Sequence, residues 1–372
     1  MDVGLVLMGH HGSWEDAAYA ESRGFATAGF VDSPLIVGDP FVAMALAAER
    51  TTTLRVGTML AIPSNRIPAA LATAIGTVNR LAQGRVFLGI GSGFTGRAVF
   101  GLPPVSIARF RRYIESCRTL LNGDEIVHRE GDTRRHIKLR HFEDRYIDPN
   151  AVPIYVAADA PRALELAGAL GDGWITSLQL SSVMGNSPDV FASSLERVQH
   201  AAGEAGRSVD GSYTMWSVGF CVLEEGESPT SARALERIGA YAMLPFHAYS
   251  DNPAIEAFLP PPVRDRLPVY LDSVLARLKV PEDRRYQEVH RGHLSHLLDG
   301  EIDVLTDDIV RMTTLTGTAE EIVAVLRRLA HVGLRNVALN PPPHLVRETV
   351  DDWAEKIAPL LAKTLVSSGR SR

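Results

Sequence analysis

The sequence predicts an α/β chain, a single (β/α)8 TIM barrel over residues 1–372 that carries an insertion before its last strand. Three observations lead there. Short apolar runs alternate with helical periodicity from end to end, the trace that parallel βα units leave. About eight such runs can be counted, each followed by a helix or by a stretch able to hold one, and eight parallel strands with outer helices close on themselves. Hydrophobic residues make up 45% and charged residues 22% of the 372, enough for a large core and too apolar for a disordered chain. A doubly wound open sheet is the competing solution to the same rhythm.

The elements follow in order. Residues 3–8 form the first strand; Ser13 as N-cap, with Glu15 and Asp16 in the first turn, opens a helix that stops at Gly24. Residues 28–31 lead into a helix at 40–50, and 54–62 into a helix at 68–81, both started by proline. The fourth strand is 85–90, and its helix is 107–121. The charged stretch 124–151 has little periodicity and reads as an excursion with a small hairpin at 134–142. The strand at 153–157 and the helix at 161–170 form a fifth unit, and a sixth strand lies at 174–177. A helix at 188–205 precedes a seventh strand at 213–223. Between about 245 and 305, prolines 253, 260, 261, 262, 268 and 281 break the rhythm, which marks the insertion. An amphipathic helix at 318–331, a strand at 336–339 and a helix at 349–366 close the chain.

Charge and cysteine content narrow the function. With 38 Lys+Arg against 44 Asp+Glu the net charge is −6, so no basic surface invites nucleic acid or anionic lipid. Cys117 and Cys221 lie in no zinc or CxxC spacing, which favours a reducing cytoplasm. The apolar stretch at 3–8 is too short and too acidic in its flank for a signal peptide, and no run is long enough for a membrane span.

The strongest local signal is the cluster Gly89-Ile90-Gly91-Ser92-Gly93-Phe94-Thr95-Gly96, which contains a GxGxxG spacing directly after a strand. A dinucleotide fold would continue from there into a long helix, and Gly101, Pro103 and Pro104 forbid one. Bare backbone at the end of the fourth strand instead leaves room for a flat ligand at the barrel mouth; a glycine-rich loop that serves turning alone is the alternative.

Taken with Val31-Asp32-Ser33-Pro34, Asp39-Pro40, and the stretches 47–66, 81–123, 152–174 and 317–337, this cluster resembles the bacterial luciferase-like flavin-dependent oxidoreductases. The likeness is greatest to the branch of F420-dependent methylenetetrahydromethanopterin reductases. The resemblance implies a barrel with coenzyme F420 or FMN at the C-terminal strand ends, near Ser33, Gly89, Gly91, Ser92 and Gly93. It implies a bulged third strand with a non-prolyl cis peptide near Gly57-Thr58-Met59, and a phosphate held on amides around Ala157, Ala158, Asp159 and Ala160, with Arg162 offsetting the carboxylate. Asp159 serves equally well as cap of the helix starting at Pro161. Phe94 stands where some F420-using relatives have an acid.

His10, at the end of the first strand, and Asp32, at the end of the second, are candidates for proton transfer, each against a solvated or capping role. Family likeness adds His293 as a substrate contact. His290, His293 and His296 recur every three residues with no HExxH or acidic partner, so no metal site is expected and a metal-dependent hydrolase is disfavoured. Ser92 lacks a GxSxG context. The functional expectation is hydride transfer from F420H2 to a small organic electrophile. FMNH2 with dioxygen in a monooxygenase, and a flavin-binding protein without turnover, are the alternatives. Phe246, Tyr249, Phe258 and Tyr270 suggest an apolar substrate pocket or a small core of the insertion itself. A small-molecule substrate and a homodimer complete the expectation.

Overall fold

The computed structural model describes residues 1–140, 152–177, 187–208 and 213–368, with side chains to Lys363. Eight strands form a closed barrel: β1 (Asp2–Leu7), β2 (Thr27–Phe30), β3 (Arg55–Ala61), β4 (Val86–Ile90), β5 (Ile154–Ala157), β6 (Gly173–Thr176), β7 (Thr214–Val218) and β8 (Asn336–Leu339). All neighbours are parallel, each strand pairs with the next, and β8 returns to β1 with Asp2 opposite Asn336. The open-sheet alternative is thereby excluded.

Alternation along the strands divides the apolar residues between two layers. One side, with Leu5, Leu7, Val56, Leu88 and Val156, packs under the outer helices. The other, with Val6, Val31, Met59, Phe87, Tyr155, Ile175, Met215 and Ala338, fills the barrel interior. Phe87 and Tyr155 stack at 5.3 Å between centroids, and Arg55 donates to the Tyr155 hydroxyl at 2.7 Å. Burying rings of this size contributes roughly 1.5–3 kcal/mol each. The interior is therefore packed, and a cavity opens above it at the strand ends.

The helices obey their local signals. Asp39 accepts from the amides of Phe41 and Val42 to start Pro40–Arg50, and Thr318 with Glu321 forms a capping box for Ala319–His331. The first helix departs from expectation: Gly12, in the left-handed region at φ 93°, is its N-cap, and Ser13 is the first helical residue, its hydroxyl donating to the His10 carbonyl. The hairpin pairs Ile126–Glu130 with Thr133–Ile137, earlier than expected; residue 142 lies outside the described residues. The last helix is interrupted by a π turn at Trp353–Ile357.

The expected strand at 213–223 is two strands. β7 ends at Val218, and Phe220–Val222 leaves the barrel to pair with Leu315–Gly317. Between these two strands the excursion builds its own core from Leu235, Phe246, Tyr270, Val304 and Ile309, running from Cys221 to Val310 and so wider than 245–305. Among the described residues, no helix is long and apolar enough to cross a membrane.

Candidate active site

A cavity of about 330 Å³ opens at the C-terminal ends of the barrel strands, within the size range of small-ligand sites. Its floor is the top of the interior core, with Val6, Val31, Met59 and Ile175. One wall is Gly91, Ser92 and Gly93; another is Ala157, Ala158 and Ala160. Leu244, Pro245, Ala248, His293 and Leu294 of the excursion line it as well. Residues 91–93, 157, 158 and 160 carry nothing longer than a hydroxymethyl group, so their backbone can approach a planar ligand closely. The residues present fit a flavin-type ring.

β3 supplies the irregular part of the lining. Its register with β4 shifts between Thr58 and Ala61, and the Met59–Leu60 peptide is cis, one step beyond the expected Gly57-Thr58-Met59 segment. Met59 and Leu60 line the cavity, whereas Gly57 and Thr58 do not. A Cβ on Gly57 would lie 2.5 Å from the Phe87 ring, so this glycine makes room for interior packing. Thr58 is fully buried and its hydroxyl donates to the Gly89 carbonyl at 2.7 Å. Gly89 lies against the Thr58 carbonyl, below the cavity.

The turn after β5 does not use Asp159 as a helix cap. Its carboxylate lines the cavity but accepts from Thr176 Oγ1, from Ser177 Oγ at 2.7 Å and from the Ser177 amide at 3.2 Å. Donors at the end of β6 therefore hold it. The helix Pro161–Leu170 starts at Ala160 with no side-chain cap, and Arg162 is exposed and outside the lining.

The two proposed proton donors at the first strands do not reach the cavity. His10 sits in the loop after β1, its Nδ1 2.8 Å from the His11 carbonyl oxygen and its Nε2 4.0 Å from Asp16. Asp32 is buried beneath the lining and accepts from the Ile62 amide at 3.3 Å; burial pushes its carboxyl above the ordinary value. Ser33, one residue further, does line the cavity.

Asp159, Tyr241 and His293 are the ionisable side chains among the described lining residues. Tyr241 donates to the Ser217 carbonyl at 2.7 Å, and burial raises its phenol far above the ordinary value. His293 is buried, and burial, with His290 and His247 beside it, holds its imidazole well below the usual range. His247 rather than His296 joins His290 and His293 in one group. Phe94 lines the cavity and brings no acid.

Ser177, Ser217 and Asn340 were missed from sequence. Asn340 Nδ2 donates to Ser217 Oγ at 2.7 Å, which makes a polar corner at the ends of β7 and β8. Their position at or just past strand ends was the available signal, since side chains there face a barrel's active end. The aromatic residues expected to shape a pocket divide otherwise: Phe246 and Tyr270 pack together in the excursion's core, Tyr249 packs against it, and Phe258 is exposed.

The family profile of the luciferase-like monooxygenases matches residues 13–336. The chain belongs to this family. It is 25% identical over 303 residues to the 5,10-methylenetetrahydromethanopterin reductase of Archaeoglobus fulgidus, covering 80% of each chain. It is 33% identical over 177 residues to the F420-dependent glucose-6-phosphate dehydrogenase of Mycobacterium tuberculosis, spanning 45% of this chain and half of that one. Among solved structures it shares its fold with the coenzyme F420-dependent tetrahydromethanopterin reductase of Methanopyrus kandleri (TM-score 0.67, 16% identity, 97% of this chain and 99% of that one). The FMN-bound 3,6-diketocamphane monooxygenase constituent from Pseudomonas putida has the same fold (TM-score 0.60, 16% identity, 96% and 98% covered). The luciferase-like family thus holds F420- or flavin-dependent oxidoreductases and monooxygenases.

Proposed function

We propose that this chain is an oxidoreductase that holds reduced F420 in the cavity and reduces a small organic electrophile. The observation that carries this reading is the slot between Gly91–Gly93 and the alanines 157, 158 and 160, which presents little but backbone, in a chain whose named relatives include F420-dependent enzymes. When bound in its reduced form, F420 supplies a hydride. The chain's own residues do the rest. Gly91, Ser92, Gly93, Met59 and Leu60 bed the ring; Ala157, Ala158 and Ala160 flank it with backbone; Ser33 offers a hydroxyl. The Ser217–Asn340 corner and His293 are polar groups that orient a substrate oxygen, while Leu244, Pro245, Ala248 and Leu294 exclude water.

One observation favours a second reading, FMNH2 with dioxygen. Phe94 leaves the cavity without the acid that some F420-using relatives place there, and reduction of a carbonyl or imine needs a proton source. Titrating the purified protein with F420 and with FMN, followed by fluorescence quenching, separates the two. Binding of F420 in preference to FMN supports hydride transfer, the reverse preference supports monooxygenation, and failure of both removes the reading altogether. Buried, unpaired Cys117 and Cys221 accord with a cytoplasmic protein.

A further inference from the structure

Behind the cavity wall, three buried histidines face one another. His247 stands on the helix Leu244–Asp251, His290 ends the short helix Arg285–Val289, and His293 follows in the next turn. A ring nitrogen from each lies within 4.8 Å of the other two. The rings are steeply inclined to one another, with centroids 5.7 Å apart for His247–His290 and 5.9 Å apart for His290–His293. Their relative exposures are 2%, 2% and 4%.

The hydrogen bonding of the group is one-sided. His247 Nε2 lies 2.6 Å from Glu301 Oε1, and His290 Nε2 lies 3.0 Å from both carboxylate oxygens of Asp251. Glu301 is itself buried and anchored by the Leu298 amide at 2.7 Å. The Nδ1 atoms of all three histidines are sealed from solvent and have no hydrogen-bond partner among the described residues. Buried polar atoms are rarely left this way, and here three are left together. With Nε2–H donated to the carboxylates, the Nδ1 lone pairs of His247 and His290 meet no donor among the described residues. Protonating them instead would leave buried N–H groups with no acceptor. A cation resolves the conflict, and the carboxylate–imidazole pairs are the outer support that metal-ligating histidines usually have.

We infer that His247, His290 and His293 bind one divalent transition-metal ion of the zinc type through their Nδ1 atoms. Three imidazoles suit zinc, cobalt or nickel rather than magnesium or calcium, and three protein ligands leave a fourth position for water. Tetrahedral coordination at about 2.0–2.1 Å per bond sets ligand nitrogens about 3.4 Å apart, within the 4.8 Å that spans the three. His293 is the one member that also lines the cavity, so an ion on its Nδ1 fixes the turn that carries His293 and Leu294. The inference does not depend on which cofactor the cavity takes.

The test uses the full-length protein, stripped with a chelator and titrated with Co²⁺. Expected are saturation near one equivalent, the visible absorption of low-coordinate cobalt, and its bleaching by Zn²⁺. Glu301→Gln should weaken binding about 10–100-fold, as loss of an outer carboxylate does. His247→Gln and His290→Gln should weaken it further, and His296→Gln should leave it unchanged. Wild-type protein that gives no cobalt absorption, or binding that survives His247→Gln and Glu301→Gln undiminished, would overturn the proposal. Circular dichroism of each variant identifies those that fail to fold, and the wild-type titration decides the matter without them.

Discussion

Gly91→Ala tests whether the glycine cluster serves a ligand or only a turn. A Cβ at this position would lie 2.7 Å from Leu60 Cδ1, about 1 Å inside ordinary carbon–carbon contact. The obstacle is the tip of a flexible side chain rather than backbone, so Leu60 can rotate away. Leu60 is only partly buried and lines the cavity, and its way out leads into that space. The protein then loses no more than the cost of a strained rotamer, about 1 kcal/mol. A ring lying on residues 91–93 loses about a methylene's width of room, which is worth roughly 1–3 kcal/mol or 10–200-fold in affinity. Thermal melting and fluorescence titration with F420 and FMN read the two effects separately. Near-wild-type melting with weakened binding is expected. A variant that melts normally and binds both cofactors as tightly as wild type would refute the placement of the ring on this backbone.

Other perturbations separate structural from functional roles. Gly89→Ala should behave oppositely to Gly91→Ala: its Cβ would sit 2.1 Å from the Thr58 backbone oxygen, so β3 itself must move, and a loss of roughly 3 kcal/mol is expected in chemical denaturation; wild-type stability would contradict the register. Glu227 is held at about 2 by Arg233 and Ser231, below its ordinary 4.5, so its contribution is present above pH 4.5 and is lost as pH falls through about 2. After allowance for solvent screening, Glu227→Gln should cost about 1 kcal/mol at pH 7, with the gap to wild type closing toward pH 2; a constant gap across denaturation curves at pH 7, 4 and 3 would dismiss the ion pair as the cause. We propose that the homodimer expected from sequence forms through exposed Val42 and Ile67, at the starts of neighbouring helices. Light scattering should then show a dimer that Val42→Glu converts to monomer, and a wild-type monomer would end that proposal.

Much of the barrel was legible because each unit carries its own signal. The helices Pro40–Arg50, Pro68–Leu81, Ile107–Leu121 and Pro161–Leu170 begin at prolines or caps and need no distant partner to define them. The break after Val218 was not legible, since Phe220–Val222 is as apolar as β7 and only its pairing with Leu315–Gly317, far along the chain, separates them. Site residues failed for a related reason. Being at the end of a strand does not decide whether a side chain rises into the cavity, as Ser33 does, or turns beneath it, as Asp32 does toward the Ile62 amide. The histidine group shows the limit most sharply. The recurrence at 290, 293 and 296 gave no reason to expect a cluster, whereas the fold brings His247 to His290 and His293, a nearness that depends on how the excursion packs on itself.

The excursion's separate core bears on how substrate choice and cofactor binding are divided. Barrel residues beneath the cavity belong to the interior layer with Phe87 and Tyr155, while Leu244, Pro245, Ala248, His293 and Leu294 come from a segment packed around Phe246 and Tyr270. The chain leaves through Phe220–Val222 and returns through Leu315–Gly317, which are hydrogen-bonded to each other, so the excursion is closed at its root. Closing it there means that changes in its length or packing alter loop-closure entropy only weakly and need not strain the barrel strands. A substitution such as Leu294→Ala can therefore widen the substrate side of the cavity while the backbone bed at 91–93 keeps its shape. Binding of F420 or FMN should then change far less than the range of electrophiles turned over, and equal losses in both would show that floor and roof are not separable.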